Sequence, residues 1–158
     1  MKLFFLRHGI AAEQGQWSGR DFDRPLTSDG IARMEREAKG IAALSLGIDA
    51  IVTSPLVRAR QTAELVADRL DLRAALVEDE RLGAAFSFEL LPAILADHPG
   101  DAVLLVGHEP GFSVTLGRLV GGAHVEVKKG ALAGVELAPS GSPRGMLVCL
   151  IPPKALRR

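Results

Sequence analysis

The sequence predicts an α/β fold built on a mostly parallel sheet, and three observations predict it. Leu3–Leu6, Ala50–Thr53 and Ala102–Val106 are short, nearly continuous apolar runs, as strands covered on both faces require. Each run stops at a polar cluster: Arg7-His8-Gly9, Ser54-Pro55-Leu56-Val57-Arg58 and Gly107-His108-Glu109. After each cluster comes a helical stretch, directly for the second and third and after a loop for the first. In open α/β sheets the carboxyl ends of the strands are where ligands bind.

The 158 residues suffice for one compact domain, expected over 1–158, with no linker, repeat or low-complexity tract. A 47% hydrophobic and 24% charged composition belongs to a globular protein and excludes a disordered one. Nineteen basic and nineteen acidic residues give no net charge, so nothing steers the whole molecule to nucleic acid or an anionic membrane. Neither partner is expected. No run reaches the about 18 apolar residues of a membrane span, and the four-residue run before Arg7 is too short for a signal-peptide core. The lone Cys149, inside Met146–Ile151, makes no internal disulfide and reads as a small buried hydrophobe. The cytoplasm is the expected compartment.

In chain order, Leu3–Leu6 delivers Arg7 and His8 to the sheet edge, and Gly9 lets the backbone turn and approach a ligand. Ile10–Pro25 has no period and reads as a long loop forming part of a pocket wall. Trp17 within it either covers the pocket or anchors the loop on the core; Arg24 is a cation within reach of an anion, and Arg20 reads as solvated. Thr27 or Ser28 caps a helix whose apolar stripe is Ile31, Met34, Ala38 and Ile41. Arg33, Glu35, Arg36, Glu37 and Lys39 form its solvated face, and Gly47 ends it.

After the strand Ala50–Thr53, a helix carries Ala59, Ala63, Val66 and Leu70 inward, with Arg58 near its start. Leu76–Leu82 is a weaker strand entering a charged turn. Phe88, Leu91 and Leu95 mark a helix ending at a surface histidine, His98. Ala102–Val106 leads into His108 and then a helix with Phe112, Leu116 and Leu119. Val125–Val127, Leu132–Leu137 and Met146–Ile151 complete the sheet. The turn Ala138–Gly145 is too short for a crossover helix, so the last two strands pair antiparallel. His124, in a loop, reads as incidental.

Arg7, His8, Arg58 and His108 thus converge from three strands on one edge. Two guanidinium forks suit phosphate oxygens, and two helix N-termini add amide donors. A neutral imidazole with a fixed tautomer is a nucleophile. His8 suits that role if a backbone carbonyl takes its Nδ1 proton, leaving His108 to donate to phosphoryl oxygens. A metal site of His8, His108 and Glu109 is the competing reading. Arg7 and Arg58 oppose a divalent cation there, and no His-x-x-x-His pair or paired carboxylates support it.

Leu6-Arg7-His8-Gly9, Ser54–Ala63 and Gly107-His108-Glu109, in this order and at these separations, resemble the three signatures of the histidine phosphatase superfamily, the phosphoglycerate mutase-like fold. Arg24-Pro25-Leu26-Thr27 resembles its short SixA-type phosphohistidine phosphatase branch. The resemblance implies a three-layer α/β/α sandwich with a six-stranded, mostly parallel sheet and one antiparallel strand. It also implies His8 as the phosphorylated nucleophile, Arg7, Arg58 and His108 as the phosphate pocket, and neither metal nor organic cofactor. Larger members carry a carboxylate proton donor after the third strand. Here that segment reads Leu82-Gly83-Ala84-Ala85-Phe86-Ser87, so Glu80 is the nearest candidate acid. The expected substrate is phosphohistidine on a protein, such as a histidine-containing phosphotransfer domain. The alternatives are a small phosphomonoester, or binding without turnover. Lys128 and Lys129 are cations to which the sequence assigns no role.

Overall fold

The computed structural model describes residues 1–139 and 144–158. Six strands form one sheet: β1 (Lys2–Arg7), β2 (Ala50–Thr53), β3 (Leu76–Glu78), β4 (Ala102–Gly107), β5 (Leu132–Leu137) and β6 (Gly145–Ile151). Their spatial order is β3-β2-β4-β1-β5-β6. β3, β2, β4 and β1 run parallel, and β5 is antiparallel to both β1 and β6. β5 is therefore the one reversed strand, as expected.

The unbroken apolar runs follow from burial on both faces. On β1, Leu3 and Phe5 point to one core with Phe112 and Leu116, while Phe4 and Leu6 point to the other with Met34, Ile41 and Val66. Phe5 and Phe112 meet edge to face, ring centroids 5.1 Å apart. The helices α1 (Ser28–Ala43) and α2 (Val57–Leu70) supply the Phe4 side, and α3 (Leu91–Asp97) and α4 (Gly111–Leu119) the Phe5 side. Truncating a fully buried phenylalanine in such a core costs about 3–5 kcal/mol.

Local chemistry sets the ends of these elements. The Thr27 side chain accepts from the Gly30 amide at 2.9 Å and caps α1. A Cβ at Gly30 would run into the Ile10 carbonyl oxygen, so the close seating of α1 on the first loop requires glycine. α1 stops at Ala43, short of Gly47, because Ser45 already turns left-handed with φ 49°. Gly9 is not in that region. A Cβ there would meet Leu26 Cδ2 at an ordinary 3.4 Å, so neither a left-handed turn nor close packing requires glycine at this position.

Several expectations need correction. Val125–Val127 is not a strand: Val127 is buried, but its carbonyl accepts from an arginine side chain instead of a ladder partner. The third strand ends at Glu78, because the Asp79 side chain accepts from the Arg81 amide and winds Glu80–Leu82 into a 3-10 turn. Glu37 does not belong to a solvated face; it is buried and paired with Arg157 beside α5 (Pro153–Leu156), a short helix the pattern did not announce. Burial raises its carboxyl pKa against the opposing pull of Arg157. His98 is only partly exposed and bonds Asp79 Oδ2 at 2.9 Å. Arg81 and His98 hold that carboxylate well below its ordinary pKa. Cys149 is half-buried rather than fully buried. Of the turn Ala138–Gly145, residues 140–143 lie outside the described residues; Ala138 N donates to Arg144 O at 2.9 Å across it. Among the described residues no helix is long and apolar enough to cross a membrane.

Candidate active site

Sheet order explains why residues a hundred positions apart meet. β1 and β4 are neighbours, so His8 and His108 leave the sheet side by side, with the His8 amide donating to the Gly107 carbonyl at 3.1 Å. β2 flanks β4 on its other side, and the Ser54 amide continues that ladder to Val106 O at 2.9 Å. α2 begins immediately afterwards and places Arg58, 5% exposed, at the same edge.

The two imidazoles lie 5.2 Å apart, centroid to centroid, and each is 6% exposed. His8 Nδ1 lies 2.7 Å from the Gly9 carbonyl oxygen. A carbonyl can only accept, so Nδ1 carries the proton and Nε2 keeps its lone pair. Burial pushes the His8 pKa down to about 3, helped by His108, Arg58 and Arg7 and opposed by the Gly9 hydrogen bond. His108 is pushed down to about 4, chiefly by burial and then by Arg58. Both rings are neutral at physiological pH. His108 Nε2 and Ser54 Oγ are hydrogen-bonded at 2.7 Å, and the same hydroxyl oxygen accepts from the Leu56 amide at 3.2 Å. His108 Nδ1 is buried with no protein partner.

The cations are held from behind. Arg7 Nη1 donates to the Val127 carbonyl at 3.0 Å. Arg58 donates from Nη1 to the Asp21 carbonyl at 2.8 Å and from Nη2 to the Asp21 carboxylate at 3.1 Å. Arg24 bonds the other carboxylate oxygen at 2.9 Å and the Ala12 carbonyl at 2.7 Å. Burial works to raise the Asp21 pKa, but Arg24 and Arg58 hold it below its ordinary value. The Nε atoms of Arg7 and Arg58 are buried without protein partners. Thr62 ties the strand end to α2: its Oγ1 accepts from the Gly9 amide at 3.0 Å and donates to the Arg58 carbonyl at 2.8 Å.

These side chains line a cavity of about 350 Å³. Arg7, His8, Arg58 and His108 all face it, as do Arg24, Glu109 and Lys129. Gly9 does not line it. Glu80 does not either: it is exposed in the 3-10 turn, and Ala84 takes the place at the cavity wall. Glu109 Oε1 accepts from the Ser113 amide at 3.1 Å, so that α4 amide is already engaged and is not available to a ligand. Trp17 neither lines the cavity nor joins either core cluster: its Nε1 donates to Arg20 O within the same loop at 2.9 Å; Arg20 is solvated and paired with Asp23. Sequence reasoning missed Glu13, Gln14 and Asp21, which line the cavity, and Ser54 and Thr62, which support it from behind. Ser54 and Thr62 stand inside the Ser54–Ala63 signature, and Asp21 shows a three-residue spacing to Arg24. Among the described residues no cluster of three metal-ligating side chains occurs. His108 Nε2 and Glu109 Oε1 already bond Ser54 and Ser113.

A neutral ring nitrogen beside two guanidinium groups and a second neutral ring suits a tetrahedral oxyanion. This cavity, at the carboxyl edge of a mostly parallel sheet, defines an α/β enzyme that handles phosphoryl groups. Residues 3–85 match the model of the histidine phosphatase superfamily (branch 1), and the chain belongs to that superfamily and is a phosphatase. It is 35% identical over 147 residues to an uncharacterised protein of Picosynechococcus, covering 86% of this chain and 85% of that one. It is 29% identical over 146 residues to the phosphohistidine phosphatase SixA of Escherichia coli, covering 90% and 89% of the two chains. A solved structure of the protein histidine phosphatase SixA complexed with tungstate superposes with a TM-score of 0.86, at 28% identity over 99% of both chains.

Proposed function

We propose that the chain removes phosphoryl groups from phosphohistidine on a protein, by way of a transient phosphohistidine on His8. The observation that carries this reading is the 2.7 Å bond from His8 Nδ1 to the Gly9 carbonyl. It fixes the tautomer that leaves Nε2 nucleophilic, in a ring kept neutral beside Arg7 and Arg58. The likeness to SixA proteins, one of them complexed with the oxyanion tungstate, supports the same reading.

In this proposal His8 Nε2 attacks phosphorus, and the bond from phosphorus to the substrate imidazole nitrogen breaks. The leaving imidazole takes a proton from solvent and departs neutral, and the water that attacks in the next step returns one to solvent. Arg7 and Arg58 balance the charge on the phosphoryl oxygens, and His108 donates a hydrogen bond to one of them. Water then attacks the phosphorus on His8, giving inorganic phosphate and restoring the neutral ring. Ala84 reaches the cavity wall in the segment where larger members carry an acid. Of the carboxylates lining the cavity, Asp21 is tied to Arg24 and Arg58, Glu109 to the Ser113 amide, and Glu13 is exposed, which favours this leaving group. An alkoxide usually depends on a general acid worth about 10²–10⁴-fold, whereas a protonated imidazole leaves readily.

A panel of a phosphorylated histidine-containing transfer domain, a phosphohistidine peptide, an aryl phosphate and an alkyl phosphate tests the proposal. The expected order of kcat/KM is phosphohistidine first and alkyl ester last. Faster hydrolysis of the alkyl ester than of every phosphohistidine substrate overturns it in favour of a small-ester phosphatase.

A further inference from the structure

A second and larger concavity, about 720 Å³, opens beside the active-site cavity and shares Arg7 and Lys129 with it. The chain is neutral overall, with only five lysines. Three of the five, Lys128, Lys129 and Lys154, line this groove together with Arg7, Arg33 and Arg157. Against those six cations stand two carboxylates, and one of them, Glu37, is buried against Arg157. Among the described residues none of the three lysines has an acidic partner within ion-pair distance. Arg33, by contrast, is paired with Asp29 at 2.7 Å. Glu126 is left as the one counter-charge without a paired cation. Cations brought together without internal partners raise the local potential and attract an anionic partner.

A smaller cavity of about 420 Å³ adjoins the groove through Lys128 and Pro152 and is walled by Val125, Leu147 and Leu150. The surface beside the catalytic cavity is thus basic first and apolar beyond. A small phosphate ester seated at His8 would not reach that far. A folded or extended polypeptide would.

We propose that this groove is the docking site for acidic residues flanking the phosphohistidine of a protein substrate, with Lys128 and Lys154 as the principal contacts. The inference rests on the phosphohistidine reading of the active site and adds the charge of the partner. Exposed charge pairs each contribute modestly and are screened by salt, and the gain falls on encounter and binding rather than on the chemical step.

The test uses two phosphohistidine peptides, one with acidic residues around the histidine and one with serine and asparagine in their place, together with an aryl phosphate. The wild type is expected to favour the acidic peptide by about 10-fold in kcat/KM, mostly through KM, and to lose that preference as salt is raised. The Lys128→Ser/Lys154→Ser protein is expected to show less than about 2-fold preference while hydrolysing the neutral peptide and the aryl phosphate as the wild type does. Equal hydrolysis of both peptides by the wild type overturns the groove proposal alone. An unchanged preference in the double variant does the same. Aryl phosphate turnover with neither peptide hydrolysed overturns the phosphohistidine reading, and the groove proposal with it.

Discussion

The neutrality of His8 has a thermodynamic consequence that can be measured without any substrate. The folded ring has its pKa pushed down to about 3, whereas an unfolded chain restores the ordinary value near 6.5. As the pH falls below about 6.5, the unfolded state takes up a proton that the folded state refuses. The stability is therefore full above the unfolded pKa and is lost as the pH falls toward the folded one. Each pH unit in that window costs about 1.4 kcal/mol for one such group, so the loss from His8 is about 2 kcal/mol at pH 5. His8→Asn removes the titrating ring and keeps an amide able to donate to the Gly9 carbonyl. Urea unfolding followed by circular dichroism, at about pH 7.5 and about pH 5, gives the stability of both proteins. Any constant cost of the substitution cancels between the two pH values, as do the contributions of His108, Asp79 and Glu37. The wild type is expected to lose about 2 kcal/mol more than His8→Asn on acidification. Equal losses would mean that the His8 ring is not held neutral, and the argument for a ready nucleophile would fail.

Three further outcomes are expected. Asp21→Asn keeps the backbone carbonyl that holds Arg58 and removes a carboxylate from the cavity. Inorganic phosphate should inhibit it at about 2–5-fold lower concentration, the effect of one partly exposed charge; weaker inhibition would mean that the carboxylate serves to position the arginines. Ser54→Ala strips His108 Nε2 of its partner and should lower kcat by about 10-fold, the equivalent of one hydrogen bond, with little change in KM; an unchanged kcat in steady-state assays removes Ser54 from the site. Dialysis against a chelator should leave kcat unchanged, whereas a loss restored by a single divalent ion would revive the metal reading of His8, His108 and Glu109.

Much of the site was legible because it sits where short buried strands end. The runs Leu3–Leu6 and Ala102–Val106 announce neighbouring parallel strands, and a histidine following each must emerge at one edge. The Gly9 carbonyl under His8 follows from the same local geometry. Asp21 and Arg58 are 37 residues apart and meet only because the first loop folds back over α2, a contact with no periodic trace. Glu37 looked solvated because its partner, Arg157, comes from the far end of the chain. Val125–Val127 has the composition of a strand, yet its carbonyl is committed to Arg7, which composition does not record. Glu80 is close to the expected acid position in sequence only, and a single 3-10 turn is enough to carry it out of the cavity.

The measurement closest to the central claim is a rapid-quench experiment with substrate labelled in the phosphoryl group. The wild type should accumulate acid-labile, base-stable label on His8 within one turnover, and His8→Asn should carry none and turn over no substrate while remaining folded. Full turnover without labelled protein, or a normal kcat in folded His8→Asn, would contradict a phosphohistidine intermediate on His8.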